Sequence, residues 1–74
     1  MEPYSSASFT NGSQTVQLWL DINDEGTECY VNRQYKLWWI PYWKTRKAFT
    51  DLLMATLDYD RLYAYYKEQG YEEI

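Results

Sequence analysis

Seventy-four residues make one domain, and a chain this short buries only about 60% of the surface its unfolded form exposes, so stability is narrow without staples. A single cysteine, Cys29, excludes an intramolecular disulfide, and the lack of histidine removes common ligands of a structural zinc site. The formal net charge of −4 argues against general affinity for nucleic acid or anionic membrane, which a domain-wide basic excess normally marks.

The charge is unevenly spread. Residues 1–31 carry five acids and no base, residues 32–47 carry five bases and no acid, and residues 48–74 return to a net −4. The middle block also holds three of the four tryptophans, so a folded chain is expected to show a positive, aromatic band between negative surfaces.

In chain order, residues 1–13 are rich in Ser, Thr and Gly and read as a flexible N-terminal arm. They lack the basic and apolar stretches of a secretory signal, so Asn11-Gly12-Ser13 reads as a turn rather than a glycosylation acceptor. Residues 14–71 are expected to form a single compact α+β domain. Val16, Leu18, Leu20 and Ile22 alternate with Thr15, Gln17, Trp19 and Asp21, a period-two pattern that predicts a strand with Trp19 on its polar side. Asn23-Asp24-Glu25-Gly26 supplies turn residues, and the alternation resumes through Cys29 and Val31, completing a hairpin. A turn at residues 32–34 would return residues 35–40 as a third strand that stops at Pro41.

Beyond Pro41 the period becomes helical. Phe49, Leu52, Leu53 and Leu57 share one face, whereas Tyr59, Leu62, Tyr63 and Tyr66 lie about a quarter turn away. The mismatch predicts two helices separated near Asp58, with Asp58 as an N-cap and Gly70 as the final stop. The expected architecture is a small two- or three-stranded antiparallel sheet followed by two helices packed on one face, with residues 72–74 as a frayed acidic tail.

Few residues suit chemistry. Residues 21–26 mimic the start of a calcium loop, but the twelfth position is Asn32, which lacks the bidentate carboxylate, and the flanks read as strands, so no metal or cofactor is expected. Without histidine, a Cys29 nucleophile lacks its usual base, and its strand position suits a packed thiol. Asp58 and Asp60 are two apart and point to different sides of a helix. The chain is therefore expected not to be an enzyme.

The aromatic surplus points to binding. Four Trp, nine Tyr and two Phe exceed what so small a core encloses, and Tyr and Trp are the types enriched at interfaces. In size, acidity and Tyr/Trp content the chain resembles the small inhibitors that phages and mobile elements encode against host defence or nucleic-acid enzymes. That resemblance, of composition alone, implies a protein partner in the cytoplasm of a host cell. The expected partner-binding residues are Trp19, Trp39, Tyr42 and Trp43 as anchors, with Asp24, Glu25 and Glu28 as an electrostatic rim. The alternative is a single-stranded nucleic-acid binder that stacks bases on Tyr35, Trp39 and Trp43 and tracks phosphates with Lys44, Arg46 and Lys47. A bland reading stands beside both: one ring packs under the helices, another pads the surface, and the cations only solvate a helix turn. A second subunit would also use the surplus rings. A membrane role is not expected, because the acidic flanks would repel anionic lipid and no run approaches the ~20 apolar residues of a span.

Overall fold

The computed structural model describes residues 4–38 and 40–74. Four strands follow one another as a meander: β1 (Ser5–Thr10), β2 (Gln14–Ile22), β3 (Cys29–Leu37) and β4 (Ile40–Phe49). A single helix, α1 (Leu52–Glu68), then crosses the sheet, and β5 (Glu72–Glu73) adds beside β1. All pairings are antiparallel, in the order β4-β3-β2-β1-β5. No helix of the described residues is long and apolar enough to cross a membrane.

The hairpin of β2 and β3 stands where the alternation predicts it. Its turn is organised by Asn23, whose Oδ1 accepts from the Thr27 and Glu28 N–H groups at 2.9 and 3.1 Å, while Gly26 takes φ +73. The Asn23 oxygen is thus committed to the turn itself rather than offered to an ion.

The rest of the expected architecture is corrected. Among the described residues the sheet has five strands, not two or three, and one helix covers it, not two. Residues 32–34 continue β3 without turning, and the segment after Pro41 extends as β4, pairing Cys29↔Phe49 through Tyr35↔Trp43. The helix begins only at Leu52, with Asp51 as its cap: Asp51 has extended backbone and its Oδ1 accepts from Leu53 N–H at 2.9 Å. Asp58 lies inside the helix, bonded to Arg61 at 2.8 Å, and no break occurs there. The buried residues are Ala55, Tyr59, Leu62 and Tyr66, spaced four, three and four apart as one helix face requires. Leu53 and Leu57, expected on the first apolar face, are exposed to solvent, and the rotated set that holds Tyr59, Leu62 and Tyr66 is the one that packs. Gly70 does end the helix: at φ +89 it donates to Lys67 C=O, and Tyr71 N–H reaches back to Tyr66 C=O.

Residues 5–10, within the segment read as an arm, form β1 and send Phe9 into the core. The Asn11-Gly12-Ser13 stretch is the turn between β1 and β2, with Gly12 at φ +113. The acidic end contributes β5, with Phe9 opposite Glu73 and Ile74 N–H bonded to Ser8 C=O at 2.8 Å.

The helix divides the sheet into two unlike faces. Phe9, Val16, Leu18, Leu20, Cys29 and Val31 pack beneath α1 against Ala55, Tyr59, Leu62 and Tyr66. Full burial of each large apolar side chain here is worth roughly 1.5–3 kcal/mol. Among the described residues, no element covers the opposite face.

Candidate functional site

The far end of the β3–β4 hairpin is aromatic on its surface and braced from within. Trp38 is 63% exposed, Ile40 55%, Tyr42 54% and Trp43 40%, an apolar cap on one end of the molecule. Behind it Tyr35 packs edge-on to Trp43 at 4.8 Å and to Tyr42 at 6.2 Å, and the Arg33 guanidinium lies 5.1 Å from the Trp43 ring centre. Gln14 links Tyr42 to Tyr71: its amide nitrogen, Nε2, donates to the Tyr42 hydroxyl, and its Oε1 accepts from the Tyr71 hydroxyl at 3.0 Å. The Tyr35 and Tyr66 hydroxyls share a hydrogen bond of 2.6 Å, and Arg33 donates to Tyr66 at 3.2 Å. Burial, followed by this hydrogen bond, pushes the Tyr35 hydroxyl above its ordinary pKa, so it stays neutral.

This clustering follows from a bulge in β4. Tyr35 pairs with Trp43, but Lys36 pairs with Pro41, so Tyr42 is the extra residue and its ring joins Trp43 on the helix side. Trp38 adopts φ +59, a left-handed conformation that turns of this kind normally assign to Asn or Gly.

The open face of the sheet holds a different arrangement. Ser6, Trp19, Asn32 and Arg46 form one cross-strand row. Asn32 is 0% exposed although no helix covers it. Its Nδ2 donates to Asp21 Oδ2 at 3.1 Å, the same oxygen accepts from Trp19 Nε1 at 3.1 Å, and Asn32 Oδ1 accepts from Arg46 Nε at 2.9 Å. Arg46 lies over the Tyr30 ring at 4.7 Å and Lys44 over Trp19 at 5.6 Å. The Tyr30 hydroxyl donates to Glu28, which raises its pKa more than any other contact. A groove of about 440 Å³ runs beside Trp19, lined by Ser6, Ser8, Gln17, Asp21 and Gln34.

The expected binding residues therefore fall on separate surfaces. Trp19 lies on the open face, Tyr42 and Trp43 on the aromatic end, and Trp39 lies outside the described residues. Asp24, Glu25 and Glu28 sit at the β2–β3 turn, the other end of nine-residue β3, roughly 27–30 Å away at ~3.3 Å per residue. The alternative set is also divided: Tyr35, Trp43 and Lys47 share the helix-side face, whereas Lys44 and Arg46 point to the open one.

Asp21, Tyr30 and Asn32 were absent from both sequence-based sets. Asp21 follows Trp19 by two residues in a strand, so the period of two places both on one face. Asn32 had no such signal, because it falls where a turn is expected. Among the described residues, no group of three or more His, Cys, Asp or Glu side chains is placed to hold a metal ion. Comparison with known protein families, with curated proteins and with solved structures finds no match.

Proposed function

We propose that this protein works by binding, as an inhibitor or modulator that covers a functional surface of a larger protein in the cytoplasm of a host cell. The aromatic end of the β3–β4 hairpin supplies the anchors, and the observation that carries the reading is Trp38. A bulky side chain at φ +59 costs about 1–2 kcal/mol, which glycine would avoid, yet this position keeps an indole largely in water. Ile40, Tyr42 and Trp43 extend the same surface, and the Gln14–Tyr42 bond and the Tyr35 contacts hold two of its rings in place before any partner arrives. Rings fixed in advance lose little entropy on association, the property that makes Trp and Tyr dominate binding energy.

The acidic turn at Asp24, Glu25 and Glu28 is too far from this end to rim the same small contact. In the proposal it steers approach over longer range. The test is capture from host extract on the immobilised chain, run in parallel with Trp38→Gly, Ile40→Ser and a control altered on the outer helix face, Leu57→Gln. A partner held by the wild type and the control but released by both hairpin variants is expected, with far-UV circular dichroism unchanged. Equal retention by all four chains would remove the hairpin end from the function.

A further inference from the structure

The uncovered face of the sheet is a second surface, independent of the hairpin end. Its charge departs from that of the whole chain: Lys36, Lys44 and Arg46 lie on it against two acids that are already engaged, Asp21, whose Oδ2 accepts from Trp19 and Asn32, and Glu28, which accepts from the Tyr30 hydroxyl. Trp19 stands on β2 in the row of Asn32 and Arg46, and Tyr30 on β3 one same-face position nearer the β2–β3 turn. The groove beside Trp19 offers the hydroxyls of Ser6 and Ser8 and the facing amides of Gln17 and Gln34, groups that both donate and accept.

We infer that this open face binds single-stranded nucleic acid, with a base on Trp19, base edges against Gln17 and Gln34, and phosphates along Lys36, Lys44 and Arg46. The charge complementarity selects an anionic strand, and the aromatic-plus-amide groove selects bases over a plain polyanion. The cation–ring contacts are compatible with this ligand. Lys44 is exposed and its ammonium, 5.6 Å from the Trp19 ring centre, is free to exchange that ring for a phosphate while a base takes its place. Arg46 is held differently: its Nε is fixed by buried Asn32, which leaves the outer guanidinium nitrogens to meet a phosphate. A duplex does not offer its base faces to such a surface, so the ligand is a single strand.

The test is fluorescence anisotropy of a labelled thymidine oligonucleotide of about ten nucleotides, titrated with the full chain at several salt concentrations. Binding is expected to weaken with salt at a logarithmic slope of about −2, from three phosphate contacts at ~0.7 each. Lys44→Glu is expected to weaken binding at least severalfold. Trp19→Ala is expected to weaken it by roughly 5- to 150-fold, the worth of one stacked base. Lys67→Glu, on the helix and away from this face, is expected to leave affinity unchanged, and thermal unfolding of each variant checks that it folds. Lys36→Glu, which removes no contact of the Asn32 network, repeats the charge test should Lys44→Glu unfold. No binding at low salt, equal affinity for a heparin fragment, or an equal loss in Lys67→Glu would each overturn the inference. Because no hairpin-end residue is altered, its failure leaves the protein-binding proposal standing.

Discussion

Trp19 and Asn32 stand directly opposite one another on β2 and β3, and both donate to a single oxygen, Asp21 Oδ2, each at 3.1 Å. One carboxylate thereby sets the orientation of an indole and of a buried carboxamide, and the carboxamide in turn holds Arg46. Removing the middle member strips a partner from both ends. Asn32→Ala is expected to cost about 1–3 kcal/mol, because Asp21 and Arg46 each lose a hydrogen bond in a partly buried setting. Asp21→Asn, which keeps one acceptor, is expected to cost less. Urea unfolding of the two variants checks the order, and a neutral Asn32→Ala would show the network to be incidental.

The helix is closed by contacts that single substitutions isolate. Asp51→Ala deletes the side chain that receives Leu53 N–H and is expected to cost about 1 kcal/mol. Gly70→Ala is expected to cost a similar ~1 kcal/mol, from backbone strain at φ +89 alone, since an added Cβ meets nothing within 4 Å. Thermal melting reads both, and a Gly70→Ala protein as stable as the parent would contradict the strain argument.

Stability is expected to fall in alkali. Burial, the leading cause in each case, raises the hydroxyl pKa of Tyr35, Tyr59 and Tyr71 above the ordinary 10.0. Below that value both folded and unfolded chains hold these protons, and their contribution is complete. As pH rises through and beyond it, the unfolded chain releases protons that the folded chain retains, so the unfolded state gains. Urea midpoints measured from about pH 8 to about pH 11 should therefore decline, and Tyr35→Phe should lessen the slope. A flat profile would mean that the tyrosines titrate as if exposed.

The helix separates its apolar residues into two kinds. Leu53→Gln and Leu57→Gln, on the outer face, are expected to change stability by less than about 0.5 kcal/mol, whereas Ala55→Leu, at a fully buried site against the sheet, is expected to cost about 1–3 kcal/mol by overpacking. Chemical denaturation of the three distinguishes them. A large loss in either leucine variant would place that side chain in a contact.

That distinction explains how far the fold was legible from residues alone. The β2–β3 hairpin was readable because Val16, Leu18 and Leu20 alternate without exception and the turn between the strands is all polar or glycine. The helix end was readable because Gly70 follows shortly after Lys67. The single helix was not, because its buried stripe is two tyrosines, an alanine and one leucine, while three leucines and a methionine lie exposed on the outside. Hydrophobicity ranks those faces in the wrong order, and the resulting phase shift imitated a break at Asp58. β1 was hidden because Phe9 is the one large apolar residue among its serines and threonines, and β4 because Pro41 and its run of lysine, arginine and aromatic residues suits an edge strand as well as a helix start. Of the candidate surfaces, Trp19, Lys44 and Arg46 were visible as types. Their union on one face depended on the register, and Asn32 at their centre depended on β3 running straight through the expected turn.

The return of β5 to β1 gives the sheet an order of assembly. β1 to β4 join only strands adjacent in sequence, so each pairing closes a short loop, whereas Glu73 meets Phe9 across nearly the whole chain and only once α1 has bridged the gap. That last seam is a two-residue latch, expected to breathe first: the Ile74 amide should exchange with deuterium long before those of Leu18 or Val31. Each such opening briefly bares the rim of β1 at Phe9 and Thr10, so that the sheet then offers a second place for another strand to add, beside the standing edge at β4.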